Sequence, residues 1–503
     1  MPFPGLPRAS VLAAALGLLC ACGPPSLPVT GPPPEPDAGR PDGGGDAGPV
    51  TSVDGGPLCA PDPPPDPIGP AQVTPGASGQ YLLRGRVVTP DTVFDPGEVL
   101  VVGAKIDCVG DCSQRPTYGA ATRIETRGVI FPGLVDGHNH TQYDYLPFWS
   151  PSPPQLFQNR YQWPQRQDYK DAVKSVNANE AAFVCEQVKY GELVAMLGGT
   201  TTIEGTFNID RKCFRTLVHN AEYSELTSST RTNIGGIGSV NATTDAPGLR
   251  ADMLSGKLTA YILHLAEGID ASSKAEFADL VNKGLLLGPT VIIHGTALGT
   301  AEFAQMASVG AKLVWSPQSN LVLYGATTDV AAALAAGVSV SLAPDWTLSG
   351  GPTILHELKA ARTLACSKWP GLLDAKALVK MVTSTPADAM AIKASVGRLA
   401  PGLNADLLVI RDRGLDPYRA LVEAHLADVR MVMISGNLRY GDAALVDATG
   451  RAPCESLAVC GENKRVCVPD GTAATDKLNQ GMVDVLSAVG GFYANPISIA
   501  TCP

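Results

Sequence analysis

The stretch GVIFPGLVDGHNHTQY, residues 128–143, decides how this chain is read. An apolar, β-branched run ends abruptly in Asp136, Gly137, His138, Asn139 and His140. The whole chain has 503 residues and only seven histidines, so two of them at one strand end call for a reason. Residues i and i+2 of a strand point the same way. His138 and His140 therefore offer two imidazoles to one point, and imidazole suits a borderline-soft divalent ion. An HxH pair alone is weak ground for a metal site, because a strand-end histidine is most often a hydrogen-bonded structural group. The polar residues further along the chain carry the reading.

After residue 128 short apolar strands alternate with helical stretches. NEAAFVCEQVKYGELVAML (179–197) predicts a helix, with Asn177 or Asn179 as its cap, and TTTIEG predicts a strand. KLTAYILHLAEG, PTVIIHG, AKLVWSP and VSVSLAPDW predict strands, each followed by a helical segment. Repeated strand–helix units over about 260 residues imply a parallel sheet, and at that length a (β/α)8 TIM barrel. Polar residues sit at the strand ends: His138 and His140, then His264 with Glu267 three later, then His294, then Asp345. In such a barrel all C-terminal strand ends meet at one mouth, where active sites are built. His219, His356 and His425 fall in helical or loop contexts and read as structural.

The flanks differ in texture. YLLRGRVVTP and GEVLVVGAKIDCVG before the barrel, and VGRLAPGLNADLLVI and VRMVMISGNLRYGD after it, predict short strands. Together they suggest a small composite β-sandwich built from segments on both sides of the barrel. At the N-terminus Arg8 precedes the apolar VLAAALGLL (11–19), too short to span a bilayer. LCAC (19–22) resembles the bacterial lipobox, with Cys22 as the acylated first residue. The Pro/Gly/Asp-rich segment after it cannot bury a core and predicts a disordered tether. The expected layout is a signal through Cys22 (1–22), a tether (23–79), the N-terminal sandwich segment (80–127), the barrel (128–390), the C-terminal sandwich segment (391–450) and a Cys-containing extension (451–503). The chain is then an exported bacterial lipoprotein, lipid-anchored in a membrane and facing the periplasm or the cell exterior, and a homo-oligomer stays open.

With Cys20 removed and Cys22 acylated, ten of the 12 cysteines remain, an even number that suits disulfides in an oxidising compartment. Cys108 and Cys112 are expected to bond to each other, and Cys454, Cys460, Cys467 and Cys502 to be oxidised. The net charge is −10 and no Lys/Arg-rich run is present, which argues against a nucleic-acid partner.

FPGLVDGHNH, GGTTTIE, HLAE (264–267), HGTAL, WSPQSN (315–320) and VGRLAPGLNADLLVI together resemble the amidohydrolase superfamily, in its branch of chlorohydrolases and aminohydrolases, over residues 80–445. The resemblance implies a barrel with a composite sandwich and a small-molecule substrate. It implies one divalent ion, zinc first and iron second, on His138, His140, His264 and Asp345. It gives Asp345 the proton of the attacking water, His294 the water or developing oxyanion, and Glu267 the protonation of a substrate ring nitrogen. The implied reaction is hydrolysis of a non-peptide C–N bond, foremost deamination of an amino-substituted heterocycle. Cyclic-amide or imidazolone ring opening and dehalogenation are the alternatives on the same site, and a non-catalytic surface-tethered binding protein is the alternative of another class. Two departures stand out. No Lys ends the fourth strand, which sets aside the two-metal version, and LAPDW replaces the Gly and Thr that many relatives carry before the aspartate, placing Trp346 at the mouth.

Overall fold

Among the described residues eight short parallel strands carry the middle of the chain, in two ladders. The first joins β1 (Leu134–Asp136), β2 (Thr200–Ile203) and β3 (His219–Asn220). The second runs from β4 (Thr230–Asn233) through β5 (Ala260–Leu265), β6 (Thr290–His294) and β7 (Lys312–Trp315) to β8 (Ser339–Leu342). This is a computed structural model, and it describes residues 50–51, 58–60, 69–205, 213, 217–222, 226, 229–233, 235–469, 479–500 and 502. The signal and lipobox expected at residues 1–22 lie outside these residues.

Every residue of β5 and β6 is buried, which is why their sequences run apolar instead of alternating. The helices between the strands start where the chain supplies caps. Asp270 accepts from Ser273 N ahead of Ala271–Asn282, and Asp329 accepts from Ala332 N ahead of Val330–Ala335. The helix expected at 179–197 is longer, Gln167–Leu197, and Phe183 breaks its regularity. The ends of β8 and β1 are sewn together beyond both strands: His140 N donates to Asp345 O at 2.8 Å and Asp345 N to His138 O at 3.3 Å.

The flanking strands form one mixed sheet. Ala77–Val88, Val93–Val102, Lys105–Gly110 and Ala121–Pro132 come from before the parallel strands, and Leu407–Arg411, Val429–Ile434 and Asn437–Asp442 from after them. The two groups meet where Ala121–Pro132 pairs antiparallel with Leu407–Arg411, Val129 opposite Ile410. The apolar run ahead of the HxH pair is thus two strands, not one. Its Val129–Pro132 portion belongs to the mixed sheet, and only Leu134–Asp136 to the parallel set. The sheet also begins before residue 80, because Gln72–Thr74 pairs with Arg123–Glu125. It continues past 450, because the hairpin Glu455–Val459 and Glu462–Val466 adds to Asn437–Asp442. The tail beyond returns to the parallel strands' side of the chain, where Ile497 N donates to Tyr145 O at 2.9 Å.

All ten cysteines after Cys22 are paired. Cys108–Cys112 is present, and the C-terminal four pair as Cys454–Cys467 and Cys460–Cys502. Cys185–Cys213 and Cys59–Cys366 complete the set, the last joining residues 307 positions apart. Arg362 reinforces that bond by donating to Leu58 O and Ala60 O. Opening so long a loop frees a large share of unfolded-chain entropy. Cys366→Ser is therefore expected to cost about 2–5 kcal/mol, read as a lower unfolding temperature by calorimetry. An unchanged midpoint shows that the Arg362 contacts hold the segment without the bond.

Candidate metal centre

The strand ends bring His138, His264, His294 and Asp345 together. One ligand atom from each lies within 4.8 Å of every other, and all four residues are buried. The register explains much of this: Leu265 pairs with His294 across β5 and β6, so His264 and His294 end adjacent strands. Asp345 arrives three residues past β8, held against the β1 extension by the bonds around Asn139. His138 Nε2 lies 3.0 Å from Asp345 Oδ1 and His140 Nε2 3.5 Å from the same oxygen. The His138 and His140 rings are 4.9 Å apart, and His140 stacks on His264 at 5.4 Å. The four histidines and the aspartate named from sequence thus face one another. His294 stands nearer the common point than His140 does.

The backbone pays locally for this convergence. His294 and Asp345 both take left-handed conformations, with φ of 66° and 73°. Such residues cost of order 1–3 kcal/mol each and persist where surrounding structure fixes them. Gly205, just past β2, has φ of 102°, and a Cβ there would fall 1.8 Å from Asn139 O, the carbonyl between the two histidines. Only glycine lets β2 approach the HxH turn so closely.

A second set of side chains orients the first. Glu204, at the end of β2, lies 3.4 Å from His138 Nδ1 and accepts from the Thr232 hydroxyl. Asn320 Oδ1 lies 3.0 Å from His294 Nδ1. Ser319 donates to Asp345 Oδ2 at 2.6 Å, leaving Oδ1 toward the histidines. Carboxylates and amides behind histidines fix ring tautomer and orientation, as around protein-bound metals. The SPQSN segment signalled Ser319 and Asn320, whereas Glu204 was visible only as an acid ending a Thr-rich strand.

Electrostatics follow from the burial. Burial opposes a charge on His138, yet its bonds to Asp345 and then Glu204 raise it to about 10. Burial, with the neighbouring His138 charge, lowers His140 to about 3. Burial, then Arg160, pushes His264 well below the usual histidine range. Burial lifts Asp136 to about 7, against the bonds from Asn139 and His138 N. His264 Nδ1 is buried without a hydrogen-bond partner. Three buried imidazoles, a carboxylate and an unpartnered ring nitrogen fit a divalent metal.

Beyond the donors lies a cavity of about 160 Å³, lined by His140, Tyr143, Arg160, Trp163, Tyr169, Glu267 and Trp346 among others. Glu267 Oε1 accepts from the Tyr324 hydroxyl at 2.7 Å, and its Oε2 lies 3.6 Å from Arg160 Nε and 3.7 Å from His294 Nε2. Glu267 therefore faces both the donor set and the open space. Arg160, Trp163, Tyr169 and Tyr324 escaped the sequence reading, because nothing in their local pattern ties them to the strand ends.

Residues 251–439 match the Amidohydrolase family. A 5-methylthioadenosine/S-adenosylhomocysteine deaminase from Moorella thermoacetica is 26% identical, over 74% of this chain and 96% of the relative. One of the same name from Syntrophobacter fumaroxidans is 23% identical, over 73% and 93%. Among solved structures, a zinc-bound adenosine deaminase from Xanthomonas campestris aligns with a TM-score of 0.57 at 19% identity, covering 73% of this chain and 93% of its own. A variant of the atrazine chlorohydrolase from Arthrobacter aurescens, complexed with zinc, aligns at 0.58 and 17% identity, covering 71% and 94%. Residues 251–439 thus resemble the amidohydrolases, and the relatives and structural neighbours that the chain resembles carry deaminase and chlorohydrolase names.

Proposed function

We propose that this protein hydrolyses the exocyclic C–N bond of an amino-substituted heterocycle, releasing ammonia. The observation that carries the reading is the position of Glu267 beside a buried three-histidine, one-aspartate set. The relatives named as deaminases support it, and so does the match of residues 251–439 to the Amidohydrolase family.

In this reading His138, His140, His264 and Asp345 hold the ion, zinc before iron, with His294 alongside. The ion supplies Lewis acidity that brings the pKa of a water from 15.7 toward about 7. The protein's own groups do the rest. Asp345, with Oδ2 tied to Ser319 and Oδ1 toward the histidines, accepts the proton of the attacking water. His294, braced by Asn320, donates to the oxygen as it becomes negative. Glu267 protonates the ring nitrogen beside the amino-bearing carbon. A C–O bond forms there, the C–N bond breaks, and the amine leaves with the proton first taken by Asp345. The expected result is ammonia release from a panel of aminopyrimidines, aminopurines and aminotriazines by the metal-loaded protein. Metal-bound protein that releases neither ammonia nor amine from any of them overturns the reading.

The finer architecture belongs to the same proposal: the eight parallel strands close as a (β/α)8 barrel, and the mixed sheet folds over as the composite sandwich. We propose also that the protein is exported and acylated at Cys22. Its LCAC motif and five disulfides support this, since disulfides persist in oxidising compartments. Native protein is then expected in the membrane fraction, and Cys22→Ser as unacylated precursor. A soluble wild type whose first residue is not Cys22 contradicts the anchor.

A further inference from the structure

Two indoles line the cavity, and from each a chain of hydrogen bonds leads to one of the two carboxylates of the proposed reaction. Trp346 follows Asp345 in sequence, and its Nε1 donates to Ser349 Oγ at 2.7 Å. Ser349 Oγ lies 2.8 Å from Ser319 Oγ, and Ser319 Oγ donates to Asp345 Oδ2 at 2.6 Å. Trp163 Nε1 donates to the Tyr324 hydroxyl at 3.1 Å, and that hydroxyl donates to Glu267 Oε1 at 2.7 Å. The two indoles pack on each other with ring centres 5.7 Å apart. Ser319, Ser349, Tyr324 and both carboxylates are buried, so each hydroxyl proton is directed to a protein acceptor.

The direction of each chain is set at both ends. An indole N–H only donates, an ionised carboxylate only accepts, and a hydroxyl has one proton to give. Ser319 gives its proton to Asp345, so the bond between the serines takes its proton from Ser349, which receives from Trp346. Tyr324 receives from Trp163 and gives to Glu267. Successive bonds of one sense polarise one another. Asp345 Oδ2 and Glu267 Oε1 are thereby held as acceptors. The oxygens left over are Asp345 Oδ1, 3.0 Å from His138 Nε2, and Glu267 Oε2, 3.7 Å from His294 Nε2. We infer that Trp346 and Trp163 are positioning residues: Trp346, through Ser349 and Ser319, reserves Asp345 Oδ1 for the proton of the attacking water, and Trp163, through Tyr324, places the proton of Glu267 on Oε2. Each chain ends in a group that cannot accept, so a proton taken by Asp345 has no exit along it and stays for the departing amine. This rests on the deaminase reading for what the two carboxylates do, and it adds which oxygen of each does it.

The test uses the full-length, zinc-loaded protein and ammonia release from the panel of aminopyrimidines, aminopurines and aminotriazines. Ser349 and Tyr324 do not line the cavity. Ser349→Ala and Tyr324→Phe are therefore expected to lower kcat by about 2- to 10-fold each, with KM little changed. Adding Trp346→Phe to Ser349→Ala, or Trp163→Phe to Tyr324→Phe, should lower kcat no further, because the chain is already cut. Ser349→Ala combined with Tyr324→Phe should multiply the two losses. A second readout needs no substrate: the five tryptophans give separate indole N–H signals by NMR of protein with isotope-labelled tryptophan. Ser319→Ala is expected to move the Trp346 signal and leave that of Trp163, and Glu267→Gln to do the reverse. Wild-type kcat in both single variants, losses confined to KM, or losses that multiply within one chain overturn the inference and leave deamination standing. Indole signals that move as stated, in protein that releases no ammonia from any of the panel, uphold the positioning and overturn deamination. Indole signals indifferent to Ser319→Ala and Glu267→Gln overturn the inference whatever the substrate.

Discussion

Glu267→Gln is expected to keep the metal and the fold and to lower turnover by on the order of 10²–10⁴, the usual worth of a positioned acid or base. Glutamine keeps the size of the side chain and can still accept from the Tyr324 hydroxyl, which now lies 2.7 Å from Oε1. It cannot deliver a proton to a ring nitrogen. Its charge partner Arg160 lines the cavity instead of the donor set, so ligand geometry survives. One limb of the pH–rate profile should vanish with the carboxyl group. Metal content by elemental analysis and kcat against pH decide the matter. Near-normal turnover on a verified substrate places the acid elsewhere, and a metal-free Glu267→Gln protein makes Glu267 a ligand.

His264→Ala is expected to lose metal and activity together. Its ring lies 4.6 Å from that of His138 and 5.4 Å from those of His140 and His294, in the middle of the cluster. Its Nδ1 has no partner to lose, so removing that nitrogen orphans no protein group. Most of what disappears is a donor. Metal content should fall well below one ion per chain, while circular dichroism keeps its folded signature. Apo wild type, prepared with a chelator, should behave the same way and regain activity on zinc addition, whereas His264→Ala should not. His264→Ala protein with full metal occupancy shows that His138, His140, His294 and Asp345 suffice. The parallel variant His140→Ala separates the two histidines that compete for the fourth position: the ligand loses metal, and its neighbour loses rate.

The order of chemical groups along the chain was legible without any coordinates. His138, His140, His264, Glu267, His294 and Asp345 each lie at or within a few residues past the end of an apolar strand, and a strand's period of two or its burial leaves a local trace. The disulfide within CVGDC was legible too, because four residues of separation leave little choice of partner. The strand boundary at Gly133 was not. Val129–Phe131 and Leu134–Asp136 are equally buried, and only pairing with Leu407–Arg411 and with Ala77–Val88 gives the first three to the mixed sheet. The Cys59–Cys366 bond was hidden for the same reason, since its partners are 307 residues apart.

The site's interior chemistry divides along the same line. The sequence by itself determined which polar side chains gather beyond the strand ends, because strand ends advertise them one at a time. Tertiary structure alone decided what stands behind and beside them: Glu204 behind His138, Asn320 behind His294, Ser319 on Asp345, and Arg160 beside Glu267. Those partners come from separate elements, and their identity depends on which strand lies next to which. Local periodicity records a residue's own burial, but a contact between distant segments exists only once the chain has closed on itself.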